Sequence, residues 1–220
     1  MKQILVAVAL IMVCLAPGVS QAAPIFFDDF NTENGGGTAL SYTGFANWTV
    51  NSGSVDLIGD GGPFALVPLV PSHGLYIDMD GTTNAAGTMQ SAVLALGAGT
   101  YELTFDLAGS QRLSGDVLFP PNTLPYGIDL NGSNTLNGGD VLPIPIALGT
   151  FVPFTGQPPL FFTLSSPTSV SIIFSHNGGD NRGLLLDNVK LQAVPEPASL
   201  MLLGAGLAAI GIWRRKAGKV

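Results

Sequence analysis

Oxygen-bearing side chains recur from Asp129 to Asp140, in the run DLNGSNTLNGGD, at the spacing that hard cations use. With Asp129 at position 1, Asn131, Ser133, Thr135, Asn137 and Asp140 fall at positions 3, 5, 7, 9 and 12, and apolar Leu136 at position 8. This is the order of an EF-hand loop, because calcium takes about six to eight oxygens at about 2.4 Å. Three features depart from it: Asn134 stands where glycine belongs, Asp140 is shorter than a bidentate Glu, and no amphipathic helix flanks the loop. A polar hairpin tip satisfies the same residues. Asp78-x-Asp80-Gly81 likewise reads as a ligand pair or as the turn that ends a strand. Asp28 and Asp29 in IFFDDF and Asp187 in LLLDNV are carboxylates set in apolar surroundings. Gathered with backbone carbonyls they would hold a structural Ca2+; dispersed, they only solvate their strands.

Sugar recognition needs aromatic faces for stacking beside a few hydrogen-bonding groups. Trp48 and Tyr126 are the aromatics best placed for it, Tyr126 lying between Pro125 and Gly127 in an expected loop, and Arg112 is a polar partner. Tyr42, Phe45 and Tyr76 are further aromatics, with Asn47 and Gln111 as further polar groups; in a small β domain any of these rings also serves as core. Catalysis has little support. The chain has two histidines, His73 and His176, no H-E-x-x-H and no G-x-S-x-G, and its one cysteine, Cys14, lies in the N-terminal leader described below. Glu33 and Glu102 are the only glutamates of the central region, and neither is marked as half of a glycosidase pair. The sequence therefore points away from an enzyme, with an extracellular glycan-active hydrolase as the alternative.

The elements that must position these groups are strands. Apolar residues alternate or run briefly between turn residues from Ile25 onward, without a sustained helical stripe. Strands are expected near 25–30, 48–50, 55–58, 75–79, 88–96, 100–107, 117–119, 144–154, 160–164, 169–174 and 184–191. In Thr100 to Leu107, the residues Tyr101, Leu103, Phe105 and Leu107 share one face and Glu102, Thr104 and Asp106 the other. The separators are rich in glycine, which makes up 29 of 220 residues, about 13% against a usual share of about 7%. The pattern predicts an all-β fold, an antiparallel β-sandwich of jelly-roll type.

Residues 23–193 hold three cations, Arg112, Arg182 and Lys190, against fourteen of the fifteen anions, a net charge of −11. Phosphate contacts need Lys and Arg, so this composition excludes nucleic acid as the expected partner.

The two ends read as addresses. Lys2, the apolar run Ile4 to Leu15, the breaker Pro17-Gly18 and the small-x-small Ser20-Gln21-Ala22 describe a signal peptide over 1–22. Its removal takes Cys14 away and leaves the domain at 23–193 without a thiol. At the other end, over 194–220, Val194-Pro195-Glu196-Pro197 leads into an apolar segment and then Arg214-Arg215-Lys216. The sixteen residues Ala198 to Trp213 span roughly 24 Å as a helix, against a hydrocarbon core of about 30 Å. A short transmembrane helix with cytoplasmic basic residues is expected, holding the protein to the membrane before processing.

Those tail residues closely resemble the PEP-CTERM sorting domain of Gram-negative bacteria. The resemblance implies recognition by an exosortase through Val194, Pro195, Glu196 and Pro197, with Arg214 and Arg215 as the stop. It also implies delivery to the cell surface or extracellular matrix, in organisms that make exopolysaccharide or biofilm matrix. The segments GLYIDMDG (74–81), GTYELTFDLAGSQR (99–112) and GLLLDNVKL (183–191) are similar to the galactose-binding-like jelly rolls of carbohydrate-binding modules. That similarity implies a structural Ca2+ between the first and last strands, at Asp28 or Asp29 with Asp187, and a glycan as ligand.

Overall fold

The computed structural model describes residues 23–59, 73–83, 85–110, 122–149, 151–179 and 181–195, together with Gly206, Leu207 and Ile210. The strands among the described residues lie within the unit Pro24–Ala193. In chain order they are β1 (Phe26–Asp28), β2 (Trp48–Ser52), β3 (Asp56–Gly59), β4 (Leu75–Asp78), β5 (Thr88–Ser91), β6 (Leu94–Leu96), β7 (Gly99–Ala108), β8 (Asn122–Leu124), β9 (Tyr126–Asp129), β10 (Ile146–Leu148), β11 (Thr155–Gly156), β12 (Leu160–Leu164), β13 (Thr168–Ser175) and β14 (Leu185–Ala193).

Every ladder between these strands is antiparallel. The larger, seven-stranded sheet is built on β7 and β14, which pair along most of their length. On the far side of β7 lie β11 and β12; beyond β14 lie β4 and β1, and β3 follows β4. The smaller sheet has five strands, with β13 at its centre between β9 and the β5–β6 pair, and β2 beyond β5. β8 and β10 form a separate two-stranded ladder.

The alternation expected in β7 is present: Tyr101, Leu103, Phe105 and Leu107 are buried, while Glu102, Thr104 and Asp106 are half-buried. Val170, Ile172 and Phe174 of β13 meet them in one core that both sheets share. Phe105 and Phe174 close the gap edge to face with ring centres 5.0 Å apart. Each such side chain, fully buried, contributes about 1.5–3 kcal/mol of apolar transfer, and this shared face defines the sandwich. A second, smaller cluster, Ile58, Tyr76, Ala108 and Leu185 with Phe154 against it, covers part of the outer face of the larger sheet.

Several expected strands are shorter or divided. The run 144–154 yields only β10, because Pro143, Pro145 and Pro153 have no N–H for a ladder and Phe151 takes φ +59. The run 88–96 divides into β5 and β6 at Ala92, whose N–H goes to Asn47 O at 2.8 Å. The expected strand at 117–119 and the signal peptide at 1–22 lie outside the described residues. So does the apolar tail apart from Gly206, Leu207 and Ile210, which are helical; among the described residues no helix is long and apolar enough to cross a membrane.

Candidate functional site

β14 breaks its own alternation. Its register against β7 shifts between Asp187 and Lys190, and Asn188 takes φ +51. This β-bulge turns Asp187, Asn188 and Lys190 toward the outer face while Leu186, Val189 and Leu191 all reach the core. Over the bulge, Phe27, Thr104, Asp106, Gln157, Asn188 and Lys190, with Phe105 and Gly156, enclose a groove of about 360 Å³.

The groove is equipped for hydrogen bonding. Asn188 Nδ2 donates to Asp106 Oδ2 at 2.8 Å, and Oδ1 of Asp106 accepts no hydrogen bond among the described residues. Lys190 makes no salt bridge among the described residues, so its ammonium is available. Gln157 is tied down by its N–H to Phe105 O at 2.9 Å and by Nε2 to Thr155 O at 2.9 Å. Phe27, directly opposite Lys190 on β1, leaves 50% of its surface exposed and forms an aromatic wall.

Beside the groove a buried carboxylate meets a half-buried histidine. Asp187, only 1% exposed and opposite Asp106 in register, is 2.9 Å from His73 Nδ1 through Oδ2 and accepts the Asn188 N–H through Oδ1 at 2.7 Å. The His73 ring stacks on Phe154 with centres 4.1 Å apart. Burial pushes the Asp187 carboxyl up to about 7; the His73 contact and the Asn188 N–H oppose the rise, and the Asp106 charge adds to it.

The side chains expected to hold Ca2+ between the first and last strands each engage other groups of the protein. Asp28 accepts the Phe30 N–H through Oδ1 at 2.9 Å, and Asn47 Nδ2 and Trp48 Nε1 through Oδ2 at 3.2 and 3.0 Å. Asp29 caps a turn by accepting the Asn31 N–H, and Asp187 is engaged as above. Among the described residues no three acidic, histidine or cysteine side chains stand together as a metal cage.

The Asp129–Asp140 loop gathers its side chains but fills them with donors. Asp129 accepts the N–H groups of Asn131, Gly132 and Ser133 through Oδ1, and of Asn134 through Oδ2. Asp140 accepts from Leu130 N and Asn131 Nδ2 through Oδ1 and from Asn137 N through Oδ2, and Asn131 Oδ1 takes the Ser133 N–H. Asn134 adopts φ +61 in the place of the missing glycine and reaches Gln90 Nε2 with its Oδ1 at 2.8 Å. The loop is a docked cap on the smaller sheet.

The aromatic expectations are corrected as well. Trp48 is 4% exposed and packs on Phe26, Phe30 and Phe174; Tyr126 lies in β9, 6% exposed, against Phe105 and Phe174, and burial raises its hydroxyl above the ordinary tyrosine range. Both are core. Arg112 lies outside the described residues, as do Glu196, Pro197, Arg214 and Arg215, while Val194 and Pro195 follow β14 directly. The groove residues Phe27, Gln157, Asn188 and Lys190 gave no signal of their own. A departure from period two at Asp187-Asn188-Val189 was the one readable trace.

Comparison with known proteins bears on the tail first. Residues 193–216 are a PEP-CTERM protein-sorting motif. The sorting motif opens on Ala193, the last residue of β14, and marks the chain for export and for sorting to the surface or the extracellular space. No curated protein matches the chain. Among solved structures, the chain is similar to the CBM22-1 xylan-binding domain of Paenibacillus barcinonensis Xyn10C, at 13% identity over 82% of this chain and 100% of that one, with a TM-score of 0.46. It is also similar to TmCBM61 in complex with β-1,4-galactotriose (14%, 68% and 90%, 0.46) and to CBM35 from Paenibacillus barcinonensis (16%, 71% and 98%, 0.40).

Proposed function

We propose that this exported protein is a non-catalytic glycan-binding module, whose groove over β7 and β14 takes an extracellular polysaccharide of its host's matrix. One observation carries the reading: an available ammonium, a carboxylate with one open oxygen, a carboxamide and an exposed phenyl ring converge on one groove. Saccharides present hydroxyls to donors and acceptors and C–H faces to aromatic rings, and this set matches both. On this reading the leader at 1–22 is removed on export. The tail helix then tethers the domain until an exosortase acts at the Pro195-Glu196-Pro197 collar.

A hydrolase has one observation in its favour, the pairing of Asp106 with a neighbouring carboxyl, Asp187, that holds its proton near neutrality. Asp187, however, is buried against His73 and does not line the groove. The full-length chain applied to immobilised xylan, galactan, dextran and alginate, and to the host's own polysaccharide, tests the reading. Retention on one of them, lost at least tenfold in Phe27→Ala and releasing no reducing ends, is the expected result. Reducing ends that disappear in Asp106→Asn would establish the hydrolase instead.

A further inference from the structure

A strand of strict period two would point β14 the wrong way. With Leu186 inward, alternation sends Asn188 and Lys190 inward too and leaves Val189 and Leu191 on the outer face. Instead Leu186, Val189 and Leu191 are fully buried core residues and Lys190 lines the groove. The phase change falls on Asn188, at φ +51, where the register skips. Few side chains tolerate that left-handed backbone; asparagine is one of them. Its N–H is held by Asp187 Oδ1 at 2.7 Å, and its carboxamide holds Asp106 Oδ2 at 2.8 Å.

We infer that Asn188 is the positioning residue of the groove: it turns β14 by one residue so that Lys190 is presented as a donor, and it clamps Asp106 with one oxygen left to accept. The inference rests on the glycan-binding reading and adds the residue that makes the groove selective for a ligand needing donor and acceptor together. Lys190 and Asp106 touch the ligand; Asn188 acts through them.

Three variants of the full-length chain test this. Asn188→Gly keeps the left-handed backbone and loses the carboxamide, so its melting temperature should stay within a few degrees of wild type. Its dissociation constant for whichever of the five polysaccharides the wild type binds should rise about tenfold. Asn188→Val, strained at positive φ, should lose affinity and melt several degrees lower. Asp106→Ala combined with Asn188→Gly should cost no more melting temperature than the worse of the two alone, since both break one hydrogen bond. Wild-type affinity in Asn188→Gly, or melting losses that simply add, would overturn the inference. Should the wild type bind none of the polysaccharides, the glycan reading falls by itself. The positioning role is then decided by the melting cycle, non-additivity supporting it and additivity refuting it.

Discussion

Asp28 and Asp187 are buried carboxylates with different partners. Asp28 accepts three donors from Phe30, Asn47 and Trp48, so it fixes the indole of the core. Asp28→Ala strands the indole N–H and should cost about 1–3 kcal/mol in urea unfolding. Asp187 is held near neutrality by burial, with a folded value of about 7 against about 4 in an unfolded chain. The folded state therefore holds this proton more tightly, and the stability it confers is fully present below about pH 4 and lost as pH rises through about 7. Melting temperatures from pH 4 to 8 should fall less in Asp187→Asn than in wild type; parallel profiles would show that Asp187 does not titrate in that window.

At the scale of elements, two short pieces determine what the longer strands can offer. The loop from Asp129 to Asp140 folds around its own carboxylates and is docked through the Asn51–Gln90–Asn134 contacts. Asp129→Ala leaves four N–H groups without that acceptor and should speed amide exchange at residues 131–134 at least tenfold while strands of the larger sheet keep their protection. β11 brings Gly156 to the groove wall, where an added Cβ meets Asp106 Oδ1 at an ordinary 3.5 Å. Gly156→Val should therefore fold with little change in melting temperature yet narrow the groove, and polysaccharide affinity should drop.

The regular part of this architecture was legible in the chain. Tyr101 to Leu107 alternates cleanly, the glycine-rich separators mark turns, and the antiparallel sandwich follows. What was not legible is two-sided. Aromatic type alone does not say which face of a strand is buried, so Trp48 and Tyr126 were expected in a groove and Phe27 was not. The β14 bulge breaks the period that strand reading relies on, so Asn188 and Lys190 emerged only once the register was known.

The molecule as a whole joins an acidic sandwich to a sorting motif that begins where its central strand ends. Residues 23–193 carry a net charge of −11, with Lys190 one of only three cations. The most direct measurement is a footprint of the full-length chain with and without its bound polysaccharide, using hydroxyl radicals for aromatic rings and acetylation for lysine amines. Protection of Phe27 and Lys190, with exposed Phe161 on β12 unchanged, is the outcome this account predicts. Protection elsewhere while Phe27 and Lys190 stay fully reactive would contradict it.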